Sequence, residues 1–208
     1  MDILITALLF VSFYLIRVVR LKRAVQLITL QSALMAVVCI VRTAPYSSWE
    51  HTLIAGGLTI LVKVILIPGG IFRILRGLPP DNPLLGKRLI YGSLLCVAAL
   101  ALSYSLTGNI LQNVEEKQMI SASLFLILSG LIIIVMRSHA VMQIVGLLTM
   151  ENGIYMLGMS ITAGLPLIVE LGVFLDVLIA VVVLVLLTQR MKMSHRTADT
   201  AVLSKLRG

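Results

Sequence analysis

The chain has 208 residues, 59% of them hydrophobic and only 12% charged, with a formal net charge of +8. That balance excludes a soluble globular domain, whose charged share is about twice as large. Its apolar runs reach about 18 to 24 residues, long enough to cross a bilayer. A charge of +8 on a soluble chain would point to nucleic acid. Here the basic residues flank apolar runs and report orientation, so no nucleic-acid partner is expected.

Seven spans are expected, at roughly 2–19, 24–42, 52–75, 88–107, 119–137, 139–162 and 165–188. The first begins MDILITALLF, with no basic stretch ahead of it and no obvious cleavage site. It is therefore expected to be a retained helix rather than a signal peptide. Short separations predict antiparallel neighbours. Two stops are clear. Thr43 to His51 carries Pro45, Ser47, Ser48 and the interfacial Trp49, and Gly77-Leu78-Pro79-Pro80-Asp81-Asn82-Pro83 cannot continue a helix. Cys39 and Cys96 fall in separate apolar runs without CxxC or Cys/His spacing. This points away from a metal centre, an iron–sulfur cluster or a disulfide framework.

Fourteen of the lysines and arginines fall on one side of this arrangement. Arg17, Arg20, Lys22 and Arg23 follow the first span, and Arg73, Arg76, Lys87 and Arg88 surround the proline loop. Arg137 separates the fifth and sixth spans, and Arg190, Lys192, Arg196, Lys205 and Arg207 follow the seventh. Arg42 and Lys117 lie on the other side, and Lys63 is inside a span. The positive-inside rule then sets the N-terminus outside and the C-terminus in the cytoplasm. The predicted fold class is an all-α polytopic membrane bundle.

Lys63, Glu151, Glu170 and Asp176 lie within apolar runs. An ionised side chain there costs roughly 3 kcal/mol or more, so it faces a bundle interior or a hydrated path. Gln31, Lys63, Glu151 and Asp176 each sit near the middle of a different span, which puts four polar groups at one depth. Glu170 lies about 9 Å further out than Asp176 and about 120° round the helix. It is either the mouth of a path or a side chain snorkelling to the interface. Lys63 pairing with Glu151 or Asp176 as a structural ion pair is one reading. One lysine does not neutralise three acids, however. At least one is left protonated, hydrated or paired with another chain, and an acid able to exchange a proton inside the bilayer is what a relay requires.

Pro68-Gly69-Gly70 follows Lys63 closely, and Pro68 removes the backbone bond to Val64. This marks either a broken helix re-satisfied by protein or water, or a packing kink. An internal repeat is also visible. Leu27 to Leu34, with Gln31, aligns on Leu147 to Ile154, with Glu151, and Leu58 to Ile65, with Lys63, can be laid on Leu171 to Leu178, with Asp176. The expected organisation is a three-helix unit at 1–87 and a connector at 88–118. A second three-helix unit follows at 119–193, then a docking tail at 194–208.

Gly146-Leu147-Leu148-Thr149-Met150-Glu151-Asn152-Gly153 resembles the second-helix signature of the K-type (4L) subunit of respiratory complex I. Asp176 matches by position a buried acid in the third helix of that family, which has glutamate there. Nearly the whole chain resembles the hydrogenase-4 component E family, of the formate hydrogenlyase type. The shared elements are Lys63-Val64-Ile65-Leu66-Ile67-Pro68, Met150-Glu151-Asn152-Gly153, Val169-Glu170-Leu171-Gly172 with Asp176, and the tail Leu203 to Gly208.

The resemblance implies a non-catalytic subunit of a complex I-like assembly in a bacterial or archaeal cell (inner) membrane. Its expected partners are antiporter-like membrane subunits, the membrane subunit that docks a soluble arm, and hydrogenase-like soluble subunits. Nickel–iron and iron–sulfur centres are expected in those partners and no cofactor in this chain. Glu151 and Asp176 would be relay carboxyls, Lys63 would tune them, and Glu170 would be an access-side acid. A K-like subunit of a multisubunit sodium/proton antiporter is the alternative, and a scaffold with purely structural acids is a third reading.

Overall fold

A computed structural model describes residues 1–43, 57, 60–75, 86–110, 116–162, 181 and 185. Its described elements are α1 (Asp2–Arg17), α2 (Leu21–Thr43), a π-helical segment (Ile60–Leu66) running directly into α3 (Ile67–Leu75), α4 (Gly86–Ile110), α5 (Lys117–Met136) and α6 (Ala140–Thr162). The fold is all-helical, as a chain this apolar requires. Lipid offers no hydrogen bonds, and a helix satisfies each backbone group within its own segment.

Among the described residues, four helices are long and apolar enough to cross a membrane: Leu21–Arg42, Ile90–Gly108, Lys117–Met136 and Ala140–Ile161. Helix α1, with 16 residues, is shorter. The third expected span is described at 57 and 60–75 only, and the seventh, 165–188, falls outside the described residues except at 181 and 185. Glu170, Asp176 and the tail 194–208 also lie outside them.

Helices α5 and α6 form the most extensive contact, an antiparallel hairpin turning at Arg137–His139. Helix α4 packs on α5, α2 on α6, and α1 touches α2, α4 and α5. The π-helical segment and α3 lie against α2.

The hairpin is close because it is built on glycine. A Cβ on Gly130 would stand 2.5 Å from the Gly146 carbonyl oxygen and from the Met150 nitrogen. One on Gly146 would stand 2.8 Å from the Gly130 oxygen, and one on Gly153 would stand 2.7 Å from the Ile127 nitrogen. Small residues let membrane helices bring their backbones together, where packing replaces the hydrophobic drive that lipid removes.

One end of the bundle is basic. Arg17 ends α1, while Arg20, Lys22 and Arg23 surround the start of α2. Arg137 joins this end from the α5–α6 turn. It is buried, and its Nη2 donates to the carbonyls of Ile16 at 2.6 Å and Val18 at 2.8 Å. Val18 is extended (φ −69°, ψ 130°), so the carbonyls near the end of α1 turn out of the helical ladder and accept from the guanidinium. Arg137→Met is expected to lower unfolding stability by about 3–6 kcal/mol, since it removes two hydrogen bonds to a charged group, each worth roughly 1.5–3 kcal/mol. Arg137→Lys should recover only part of this, because an ammonium lacks the planar fork. Thermal unfolding in detergent would read both. At the other end Arg42 pairs with Glu116 at 2.5 Å, partly exposed on both sides.

The apolar core is divided in two. One cluster at the basic end includes Leu15, Val25, Ile28, Ile67, Ile71, Val145 and Leu148. The other, towards the opposite end, includes Ile5, Leu8, Met35, Val38, Met119, Tyr155 and Met156. Between them lies a level of buried polar residues.

Candidate functional site

That level holds Ser12 of α1, Gln31 of α2, Lys63 of the π-helical segment, and Thr149, Glu151 and Asn152 of α6, all at most 3% exposed. Helix α6 carries three of them because it is enclosed nearly all round, with Leu148, Glu151, Asn152, Tyr155, Met156 and Met159 all buried. A helix hidden on most of its circumference can point polar groups several ways without meeting lipid.

Lys63 and Glu151 form a buried ion pair: Lys63 Nζ donates to Glu151 Oε1. Of the two partners the sequence leaves open for Lys63, Glu151 is the one seen among the described residues. The ammonium also donates to Asn152 Oδ1 at 3.2 Å and lies 5.4 Å from the Tyr155 ring centroid, within cation–π range. The Tyr155 hydroxyl is 2.9 Å from Cys39 Sγ. Glu151 Oε2 and Asn152 Nδ2 are buried with no hydrogen-bond partner among the described residues. An acceptor and a donor without partners there, beside a buried ion pair, are costly, and each such group calls for a partner or a role.

The second group surrounds Gln31. Its Nε2 donates to Ser12 Oγ at 2.8 Å, and Ser12 Oγ in turn donates to the Leu8 carbonyl at 2.9 Å. Thr149 has a single hydroxyl proton. It goes to the Val145 carbonyl at 2.9 Å, or to Gln31 Oε1 at 3.4 Å. Gln31 is therefore fully inside the bundle and hydrogen-bonded, as a polar group there must be.

The winding around Lys63 is unusual. Ile60–Leu66 is π-helical, and the chain changes to α-helix at Ile67, one residue before Pro68. Pro68 has no N–H to give to the turn before it and its ring crowds the carbonyl there, so a change of winding falls where the regular ladder is already broken. The chain stays helical through Gly69 and Gly70 to Leu75, and both glycines are exposed with open space around them. π-Helical segments recur at functional positions. This one carries the only lysine that the structure buries among the described residues.

Ser12 and Tyr155 join the polar level unannounced by the sequence, while Thr149 and Asn152 stood out there only as members of a motif and Cys39 only as a lone thiol. Their signals are slight. Ser12 interrupts an apolar run, Asn152 adjoins Glu151, and Tyr155 lies one turn from Glu151. Among the described residues, no three His, Cys, Asp or Glu side chains are grouped so as to hold a metal ion.

Apolar helices enclosing a charge-bearing polar layer define a multi-helix membrane protein with a charged interior. The chain is 32% identical over 195 residues to the uncharacterized protein Rv0085 of Mycobacterium tuberculosis, covering 90% of this chain and 86% of that one. It is 28% identical over 165 residues to hydrogenase-4 component E of Escherichia coli K12, covering 76% of this chain and 75% of that one, with the same figures for the Shigella flexneri protein. No family profile and no solved structure matches it. The chain is thus similar over about three quarters of its length to hydrogenase-4 component E.

Proposed function

We propose that the chain is a non-catalytic membrane subunit of a complex I-like, membrane-bound hydrogenase of the hydrogenase-4 type, and that its buried polar level carries part of a proton path. The observation that supports this most is the Lys63–Glu151 pair, held between two apolar clusters with Glu151 Oε2 unpartnered among the described residues. A proton delivered to Oε2 converts the carboxylate to a neutral acid and cancels its attraction for Lys63. The ammonium stays in place on Asn152 Oδ1 and the Tyr155 ring. Loss of the proton in the other direction restores the pair. The protein itself needs only two states of one carboxyl and a fixed cation beside it.

Asp176 is proposed as a second relay carboxyl and Glu170 as an access-side acid, on the strength of the family resemblance. Gln31, with Ser12 and Thr149, would hold the polar level open beside the relay. Electron transfer belongs to nickel–iron and iron–sulfur subunits of a soluble arm, joined through antiporter-like and docking membrane subunits. The N-terminus would face outward and the basic end the cytoplasm of a bacterial or archaeal cell.

Glu151→Gln and Asp176→Asn keep size and hydrogen-bonding capacity but cannot exchange a proton. Both variants should assemble, and proton uptake into proteoliposomes should fall roughly tenfold or more, in line with the worth of a positioned proton-transfer group. Full pumping by both assembled variants would overturn the relay. Mild-detergent pull-down of the tagged chain tests the assembly. Metal-bearing hydrogenase-like partners support it, and antiporter-like partners alone would instead assign the chain to a sodium/proton antiporter.

A further inference from the structure

At the basic end a groove of about 230 Å³ lies between α1 and α4, lined by Arg17, Ile90, Ser93, Leu94 and Val97. We propose that it binds an anionic phospholipid, with the headgroup phosphate on Arg17 and an acyl chain along Ile90, Leu94 and Val97.

The apolar wall has the shape of a chain track. Ile90, Leu94 and Val97 recur at i, i+4 and i+7, so they form a stripe along α4 about 10 Å long. They are 64%, 62% and 54% exposed. Helix α4 is the least enclosed of the four spanning helices, with 28% of its apolar window buried. The groove therefore opens sideways, into the hydrocarbon, and not towards the polar level.

The charge at its end selects the headgroup. Arg17 occupies the last turn of α1, at the boundary where an apolar helix meets water, and is exposed. No carboxylate among the described residues pairs with it. The described acids lie elsewhere: Asp2 and Glu116 at the opposite end and Glu151 in the middle. Arg20, Lys22 and Arg23 add to a field of one sign. A guanidinium matches a phosphate diester in charge and in fork geometry, and basic clefts between membrane helices on this side of a bilayer take anionic headgroups. A neutral lipid would fill the stripe but leave Arg17 to its zwitterionic headgroup, and an acidic protein segment would leave the acyl track empty.

Native mass spectrometry of the purified full-length chain, titrated with phosphatidylglycerol or phosphatidylcholine, tests this. Phosphatidylglycerol should be retained in preference to phosphatidylcholine. Arg17→Gln should weaken retention about fivefold, the worth of one basic residue at an anionic membrane surface. Leu94→Trp, which fills the track and leaves all charges, should weaken it as well, while Arg23→Gln should have little effect. Equal retention of the two lipids, or unchanged retention in both Arg17→Gln and Leu94→Trp, would overturn the site. So would an equal loss in Arg23→Gln, which would mean diffuse charge. A photo-crosslinker placed at Val97 in the assembled complex should label lipid, and labelling of a partner subunit instead would also overturn it.

Discussion

Lys63→Met is expected to destabilise the folded chain by about 3–5 kcal/mol, the cost of leaving one member of a buried ion pair without its partner. The side chains of Lys63 and Glu151 are 2% and 3% exposed, so water cannot take over from the lost ammonium. Among the described residues Glu151 Oε2 already lacks a hydrogen-bond partner, and the substitution would take the Lys63 bond from Oε1 as well. The double variant Lys63→Met, Glu151→Leu should recover most of the stability, because two apolar side chains of similar volume avoid the desolvation penalty that the pair carries. It should not recover proton flux. Thermal unfolding of the parent, Lys63→Met, Glu151→Leu and the double variant in detergent completes the cycle. A Lys63→Met protein as stable as the parent would mean that the pair contributes nothing to the fold, and the relay assignment would lose its geometric basis.

Gly130→Ala should do still more damage for its size. One methyl group usually costs about 1–3 kcal/mol when forced into a packed core, and flexible side chains yield to it. Here the methyl meets backbone: the Gly146 oxygen and the Met150 nitrogen, each 2.5 Å away. Neither can rotate aside, so α5 and α6 must separate and loosen the contact that holds Glu151 in place. A loss of about 3 kcal/mol or more is expected, at or above the top of the usual range. Gly69→Ala and Gly70→Ala make the comparison. Both positions have open space, and alanine is favoured over glycine in a helix by about 1 kcal/mol, so these variants should be neutral or slightly more stable. Fluorescence-detected size exclusion after heating ranks all three. A monodisperse Gly130→Ala protein with the parent's midpoint would contradict the packing.

Much of the helical frame is legible in the chain alone. The expected spans 24–42, 88–107, 119–137 and 139–162 correspond to α2, α4, α5 and α6 within about two or three residues at each end. Runs of apolar residues bounded by arginine, lysine and turn residues leave little choice, because only a helix satisfies its own backbone in lipid. The π-helical winding before Pro68 was not legible. It changes the hydrogen-bond register and not the composition, and an apolar run on both sides hides any shift in periodicity. The glycine contact did leave a trace: Gly146 and Gly153 are seven residues apart, as are Ser123 and Gly130 across from them. That spacing keeps one face along two turns, yet which helix it meets is not written in it.

For the site, residue type and position along each span already place Lys63, Gln31 and Glu151 near one depth and turn them away from lipid, since a polar group near mid-span is too far from either interface to reach water cheaply. Tertiary structure alone decided who meets whom. It set Glu151 on Lys63, Ser12 on Gln31 and Cys39 beside Tyr155, joining residues that are 88, 19 and 116 positions apart. A depth follows from counting along one helix, but a partner depends on how each helix is rotated about its axis. That rotation is set by close packing, above all where Gly130 and Gly146 let two backbones touch.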